Sequence, residues 1–200
     1  LQRENGDIPW SAGGKTDPWD LVESVMGLNI GGLHDQAMAA LDWLAALQNE
    51  NGSWYSSYMD SVPKDRTTES HMACYPAVGL FHQFLIKGDK ADLEKFWSVM
   101  SKGIAFALAL QAVTGEIYWA RSPEGKVDPM SLLSGSSSIF MSLKCALAIA
   151  GILGRDCPEW EDALKRLGRS IRENIFTYNV SKSRFSMYWF YPIQIGRAHV

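Results

Sequence analysis

Two stretches of this 200-residue chain set a carboxylate beside aromatic rings in otherwise polar sequence. One is Gly115-Glu116-Ile117-Tyr118-Trp119-Ala120-Arg121, and the other is Trp54-Tyr55-Ser56-Ser57-Tyr58-Met59-Asp60. A loop carboxyl held against an aromatic wall loses hydration, which raises its pKa and suits it to general acid catalysis. Inverting glycoside hydrolysis needs two such groups about 6.5–9.5 Å apart, one to protonate the leaving oxygen and one to activate water. Glu116 and Asp60 are therefore the candidate catalytic pair, with pairing to Arg121 or Arg184 as the structural alternative. Glu23 and Glu69, placed in the first turns of helices, are reserves.

The candidate substrate contacts are Trp54, Tyr55, Tyr58, Trp119, Arg121, Arg184, Tyr188 and Trp189. Flat apolar faces next to hydrogen-bonding groups suit a sugar, and the same rings would stabilise a carbocation by cation–π contact. Alternatively, the aromatics tie long loops to the scaffold. Ser134-Gly135-Ser136-Ser137-Ser138 offers hydroxyls and backbone N–H groups at a helix start, for capping or for anion contact, and lacks the phosphate-loop order. His71 and Cys74 are spaced to share a helix face, but no further ligands follow at recognisable spacing, so neither metal nor cofactor is expected. No G-x-S-x-G occurs.

Six helices are expected to position these groups, at about 19–27, 33–48, 68–87, 89–111, 133–153 and 160–175, from period-3.6 patterning. Those at 68–87 and 133–153 are apolar nearly all round, as helices buried on both sides are. Pro76 should kink the former. Short connections alternate with long ones at 5–18, 49–67, 112–132 and 176–193, which puts every long connection at one end of the bundle.

A phrase recurs at Leu1-Gln2, Leu47-Gln48 and Leu110-Gln111, each followed by Gly6, Gly52 or Gly115 and then a tryptophan at Trp10, Trp54 or Trp119. Repeats of this kind mark stacked units that bury their apolar faces against neighbours. The expected fold is all-α, an α/α toroid of which about three hairpins are present. Residues 1–193 form one domain fragment in this reading. Residues 194–200 are set aside because Ile195-Gly196-Arg197-Ala198-His199-Val200 resembles a translated sequencing adapter.

With 46% hydrophobic residues and net charge −3, the chain is globular and has no basic stripe to suggest nucleic acid. No uninterrupted apolar run reaches the length needed to span a bilayer. Three cysteines without C-x-x-C spacing point to free thiols and a cytoplasmic location.

The Leu-Gln-x-x-x-Gly phrases resemble the repeats of terpenoid-cyclase and protein-prenyltransferase toroids. Together with 88–111, 134–148 and 182–192, they make the chain look like a bacterial prenyltransferase-like protein. That resemblance implies isoprenoid chemistry on a small-molecule or lipid-linked substrate. The Asp-x-Asp-Asp motif of the cyclases is absent. Gly88-Asp89 through Trp97 to Gln111 is in turn similar to a helix of six-hairpin glycosidases, which implies a sugar-active enzyme. The main expectation is thus a prenyltransferase-like enzyme. The alternatives are an inverting glycoside hydrolase and a non-catalytic glycan-binding toroid.

Overall fold

The computed structural model describes residues 1–186 and Tyr188. Among the described residues, the α-helices with defined bounds are α1 (Pro18–Ile30), α2 (His34–Ala46), α3 (Ser70–Cys74), α4 (Pro76–Lys87), α5 (Lys90–Leu108), α6 (Leu133–Ile152) and α7 (Pro158–Glu173). α1, α3–α4 and α6 pack side by side as an inner layer, and α2, α5 and α7 back them from outside. This is the expected α/α-toroid arrangement.

Sequence accounts for each layer. Asp89 caps α5 by accepting from the Ala91 amide at 2.8 Å, and Leu93, Phe96, Met100 and Ile104 then form one buried stripe. α6 is apolar all round because α3, α4, α5 and α7 all pack against it. At 20 residues α6 is long and apolar enough to cross a membrane, although over half of its apolar window is buried within the ring. The kink near Pro76 is present: α3 ends at Cys74, Tyr75 keeps helical torsions, and α4 starts at the proline.

The helix expected from residue 68 starts only at Ser70, because Thr68 and Glu69 belong to a strand. Two of the long connections build a sheet that the helical reading did not contain. Its strands are β1 (Tyr55–Met59), β2 (Val62–Glu69), β3 (Ala120–Arg121) and β4 (Val127–Asp128), in that order and antiparallel throughout. The β1–β2 turn is Asp60-Ser61, with φ of 49° and 65°. Such turns usually announce themselves with Asn-Gly or Asp-Gly. Here no glycine marks the hairpin, so the sequence pattern hides it.

The long connections do gather on one rim. Thr16 pairs with Tyr58, Thr68 with Arg121, and the Asn179 amide donates to the Ser131 carbonyl at 2.9 Å.

The repeated phrase is a clamp between outer helices, and it has the same geometry three times. Gln48 Nε2 donates to its own Gly52 carbonyl at 3.0 Å and to Val99 O of α5 at 2.8 Å. Gln2 does the same to Gly6 and to Gln36 of α2, and Gln111 to Gly115 and to Ala163 of α7. The glycine lies flat on the neighbouring helix. A Cβ at Gly52 would stand 2.1 Å from Lys102 O, and one at Gly115 2.5 Å from Arg166 O. After the glycine come Asp7, Ser53 and Glu116, all buried, each carbonyl accepting from the amide that follows the glutamine. Two residues past the glycine, Ile8, Trp54 and Ile117 fill one core position. Trp10 and Trp119 lie four residues past it, so the three tryptophans are not equivalent.

Candidate active site

A cleft of about 290 Å³ opens where the inner helices begin, lined by residues that include Trp10, Asp17, Trp19, Asp20, His71 and Gly135. Helix N-termini favour negative charge, and α1 brings two carboxylates there. Asp17 is its N-cap: Oδ1 accepts from the Asp20 amide at 2.9 Å, and Oδ2 accepts from the Trp10 indole at 2.8 Å. Pro18 at the first helical position fixes the entry. Asp20, one turn on, is raised above the usual carboxylate range. Desolvation is the main cause, followed by the charges of Asp17 and Glu23 and a hydrogen bond shared with Asp17, with Lys15 opposing.

Trp19, next to Asp20 on α1, lines the cleft and stacks on the buried Tyr75 with centroids 3.7 Å apart and 4° between planes, which fixes its ring. Trp19 Nε1 also donates to Glu23 at 2.8 Å. His71 leans on Trp19 at 5.3 Å, and burial lowers its pKa to about 4, so it is neutral at pH 7. Its Nε2 lies 3.5 Å from Glu69, which is therefore a dipolar contact and not an ion pair. Its Nδ1 is buried without a protein partner, beside Gly135. Glu69 accepts from the Ser56 hydroxyl at 2.8 Å, and its pKa is raised mainly by burial, a shift that Ser56 reduces and that Asp65 and Asp17 increase. The cleft thus presents a protonatable carboxyl, an adjacent anion, a neutral imidazole and a stacked aromatic wall.

The residues singled out from sequence are distributed elsewhere. Glu116 occupies the clamp between α5 and α7, accepting from Thr114 Oγ1 at 2.7 Å. Asp60 is at the exposed hairpin tip, 3.2 Å from Arg3. Neither lines the cleft. Trp54 is fully buried and donates to Leu44 O, and Tyr58 is buried against Trp43, its pKa pushed up to about 12 by burial. Both serve the core, which corrects their expected role as substrate contacts. Tyr188 is also buried, and its hydroxyl accepts from the Leu133 amide at the start of α6. Trp119 is half-buried, and its backbone carbonyl receives the Ser70 amide and hydroxyl. Arg184 is exposed over the Phe185 ring, and Trp189 lies outside the described residues. Only Tyr55 and Arg121 share a surface, a second groove on the outer side of the sheet.

Asp17-Pro18-Trp19-Asp20 carried a signal that the sequence reading passed over. An N-cap aspartate with a second acid three residues on is an ordinary helix start. What distinguishes this one is its place on an inner helix, facing the ring axis. Among the described residues, no cluster of three or more His, Cys, Asp or Glu side chains has the geometry to hold a metal ion.

No protein-family profile matches the chain. It is 43% identical over 195 residues to the MMP endo-(1,4)-3-O-methyl-alpha-D-mannosidase of Mycolicibacterium hassiacum, covering 98% of this chain and 54% of that enzyme. The chain thus spans about half the length of the curated relative it matches. Among solved structures, a sugar epimerase from a ruminal bacterium superposes with a TM-score of 0.68 at 11% identity, over 86% of this chain and 50% of its own. The cellobiose 2-epimerase of Spirochaeta thermophila gives 0.64 at 14%, over 85% and 47%. A D-mannose isomerase gives 0.63 at 12%, over 80% and 41%. These likenesses establish the fold. The isoprenoid expectation is corrected, because the sequence relative is a mannosidase and the structural neighbours are sugar enzymes.

Proposed function

We propose that this chain is part of a glycoside hydrolase that cuts internal α-(1→4) bonds in a 3-O-methylated mannoside, with Asp20 as general acid. The observation that carries the reading is Asp20 itself, a carboxyl whose pKa is raised by desolvation and by the neighbouring Asp17, in a cleft lined by Trp10 and Trp19. The 43% identity to a mannosidase supplies the substrate class. Partly methylated sugar rings are more apolar than free ones and suit the Trp10 and Trp19 rings that line the cleft.

Asp20 would donate its proton to the glycosidic oxygen as the bond breaks. The indole of Trp10 and the cap bond keep Asp17 in place, so the charge left on Asp20 falls next to an existing anion and the pair regains a proton readily. Asp17 and Asp20 lie side by side at one helix start, whereas action on opposite faces of a sugar needs carboxyls about 5–5.5 Å apart for retention or 6.5–9.5 Å for inversion. The opposing carboxylate is therefore a third group, and Asp17 and Asp20 are the only carboxylates among the described residues that line the cleft.

A second reading, sugar epimerisation or isomerisation, is favoured by one feature: the neutral His71 with its bare Nδ1, a suitable proton shuttle. Products separate the two. Incubating the protein with α-(1→4)-linked 3-O-methylmannose oligomers is expected to give shorter oligomers, with one new reducing end per bond cut. Unchanged length with altered stereochemistry would favour the second reading, and unchanged substrate would overturn both. We place the enzyme in the cytoplasm on its three free thiols, Cys74, Cys145 and Cys157. Recovery of the protein in an extracytoplasmic fraction would refute that placement.

A further inference from the structure

The sheet at the rim has two faces, and only one belongs to the cleft. Successive residues of a strand point to opposite sides. Glu69 turns toward His71, so Thr68 turns outward. Register then lines up Tyr55, Thr68 and Arg121 as one cross-strand row on that outer face. Arg66, two residues before Thr68, shares it. Over this row runs a groove of about 420 Å³, closed on one side by the clamp turn at 49–53.

Two of the three charged side chains lining this groove, Arg66 and Arg121, are cationic. No ion pair involves Arg66 or Arg121 among the described residues. Arg121 Nε is buried without an acceptor, and its guanidinium is steadied 5.8 Å from the Phe106 ring. The Tyr55 and Thr68 hydroxyls have no side-chain partner among the described residues. Of the two asparagines lining the groove, Asn51 accepts from the Ser53 amide and hydroxyl, and Asn49 donates its side-chain amide to the Ser53 hydroxyl. Glu50, exposed at the rim, is the one opposing charge.

An unmet buried guanidinium N–H is costly unless a ligand accepts from it. Two arginines with two hydroxyls match an oxyanion, which accepts several hydrogen bonds and donates none. A neutral sugar would bring as many donors as acceptors and leave most of its hydroxyl hydrogens unmet. We propose that the groove over Tyr55, Thr68, Arg66 and Arg121 binds the oxyanion of a small molecule, a carboxylate or a phosphate, separately from the central cleft.

The test follows the Arg121 Nε–Hε resonance while the protein is titrated with glucuronate, inorganic phosphate or mannose. A saturable shift with glucuronate or phosphate, and none with mannose, is expected. Saturation by glucuronate alone identifies a carboxylate ligand, and by phosphate alone a phosphoryl ligand. Arg66→Gln changes an exposed side chain, so it leaves the fold intact and should weaken binding about tenfold. Glu50→Gln should tighten it. Asp20→Asn should leave the titration unchanged, which keeps this result independent of the hydrolase reading. Equal response to mannose, no saturable shift with either anion, or an unchanged Kd in Arg66→Gln would overturn the proposal.

Discussion

Asp17 receives the Asp20 amide at 2.9 Å as the cap of α1, and its charge adds to the desolvation that raises the Asp20 pKa. One residue thus starts the helix and helps to raise its neighbour's pKa. Asn caps a helix about as well as Asp, so Asp17→Asn separates the two roles. The variant should melt with the wild type, but Asp20 loses an adjacent charge and falls toward its ordinary pKa. An acid works while protonated, so the alkaline limb of kcat/KM should move to lower pH. A limb that stays in place would deny the coupling.

The clamp glutamines should matter in proportion to their burial. Gln48→Ala leaves the carbonyls of Gly52 and Val99 without their donor, which costs about 1–3 kcal/mol. Gln111→Ala should be similar. Gln2→Ala should cost less, because its bond to Gln36 is exposed and water replaces the amide. Thermal melts of the three variants check this order.

The glycines divide by contact. Gly52→Ala drives a Cβ to 2.1 Å from Lys102 O and should prevent docking of the clamp on α5. Gly13 has a similar positive φ of 69° with nothing within 4 Å, so Gly13→Ala should cost only about 1–2 kcal/mol of backbone strain. Urea titration of both variants distinguishes contact from torsion.

These contacts also show what the sequence could disclose. The helices and the ring were legible because period-3.6 stripes such as Leu93-Phe96-Met100 persist over several turns. The clamp was visible as a repeat, though its tryptophans misled: Trp54 shares a position with Ile8 and Ile117, not with Trp10 or Trp119. The hairpin was hidden because Asp60-Ser61 turns without glycine. Glu116 and Asp60 lie apart from the central cleft for a related reason. Glu116 reads from the sequence as a carboxyl desolvated by neighbouring aromatics, but its burial comes from its place after the clamp glycine, where Asp7 and Ser53 are buried too. Asp20 drew no notice in the sequence, and its place in the first turn of α1, lining the central cleft, is visible only in the fold.

His71 should give the fold a measurable acid sensitivity. Its pKa is near 6.5 when unfolded and about 4 when folded, so the unfolded chain binds the extra proton between those values. This stabilising contribution is complete above about pH 6.5 and is lost as pH falls through 4, up to about 3 kcal/mol in all. Asp20 and Glu69, raised in the fold, act oppositely: their contribution is present at low pH and declines as pH rises through their folded pKa. Comparing His71→Asn with the wild type isolates the histidine. The variant should lose less stability than the wild type between pH 6.5 and 4, measured by urea titration at each pH.

The most direct measurement is hydrolysis of α-(1→4)-linked 3-O-methylmannose oligomers by Asp20→Asn and Glu116→Gln, side by side with the wild type. Asp20→Asn should lose on the order of 10²–10⁴ in kcat with an unchanged melting temperature. Glu116→Gln, changed inside the clamp, should keep wild-type turnover. Full activity in Asp20→Asn, or inactivity in a folded Glu116→Gln, would contradict the assignment of the central cleft.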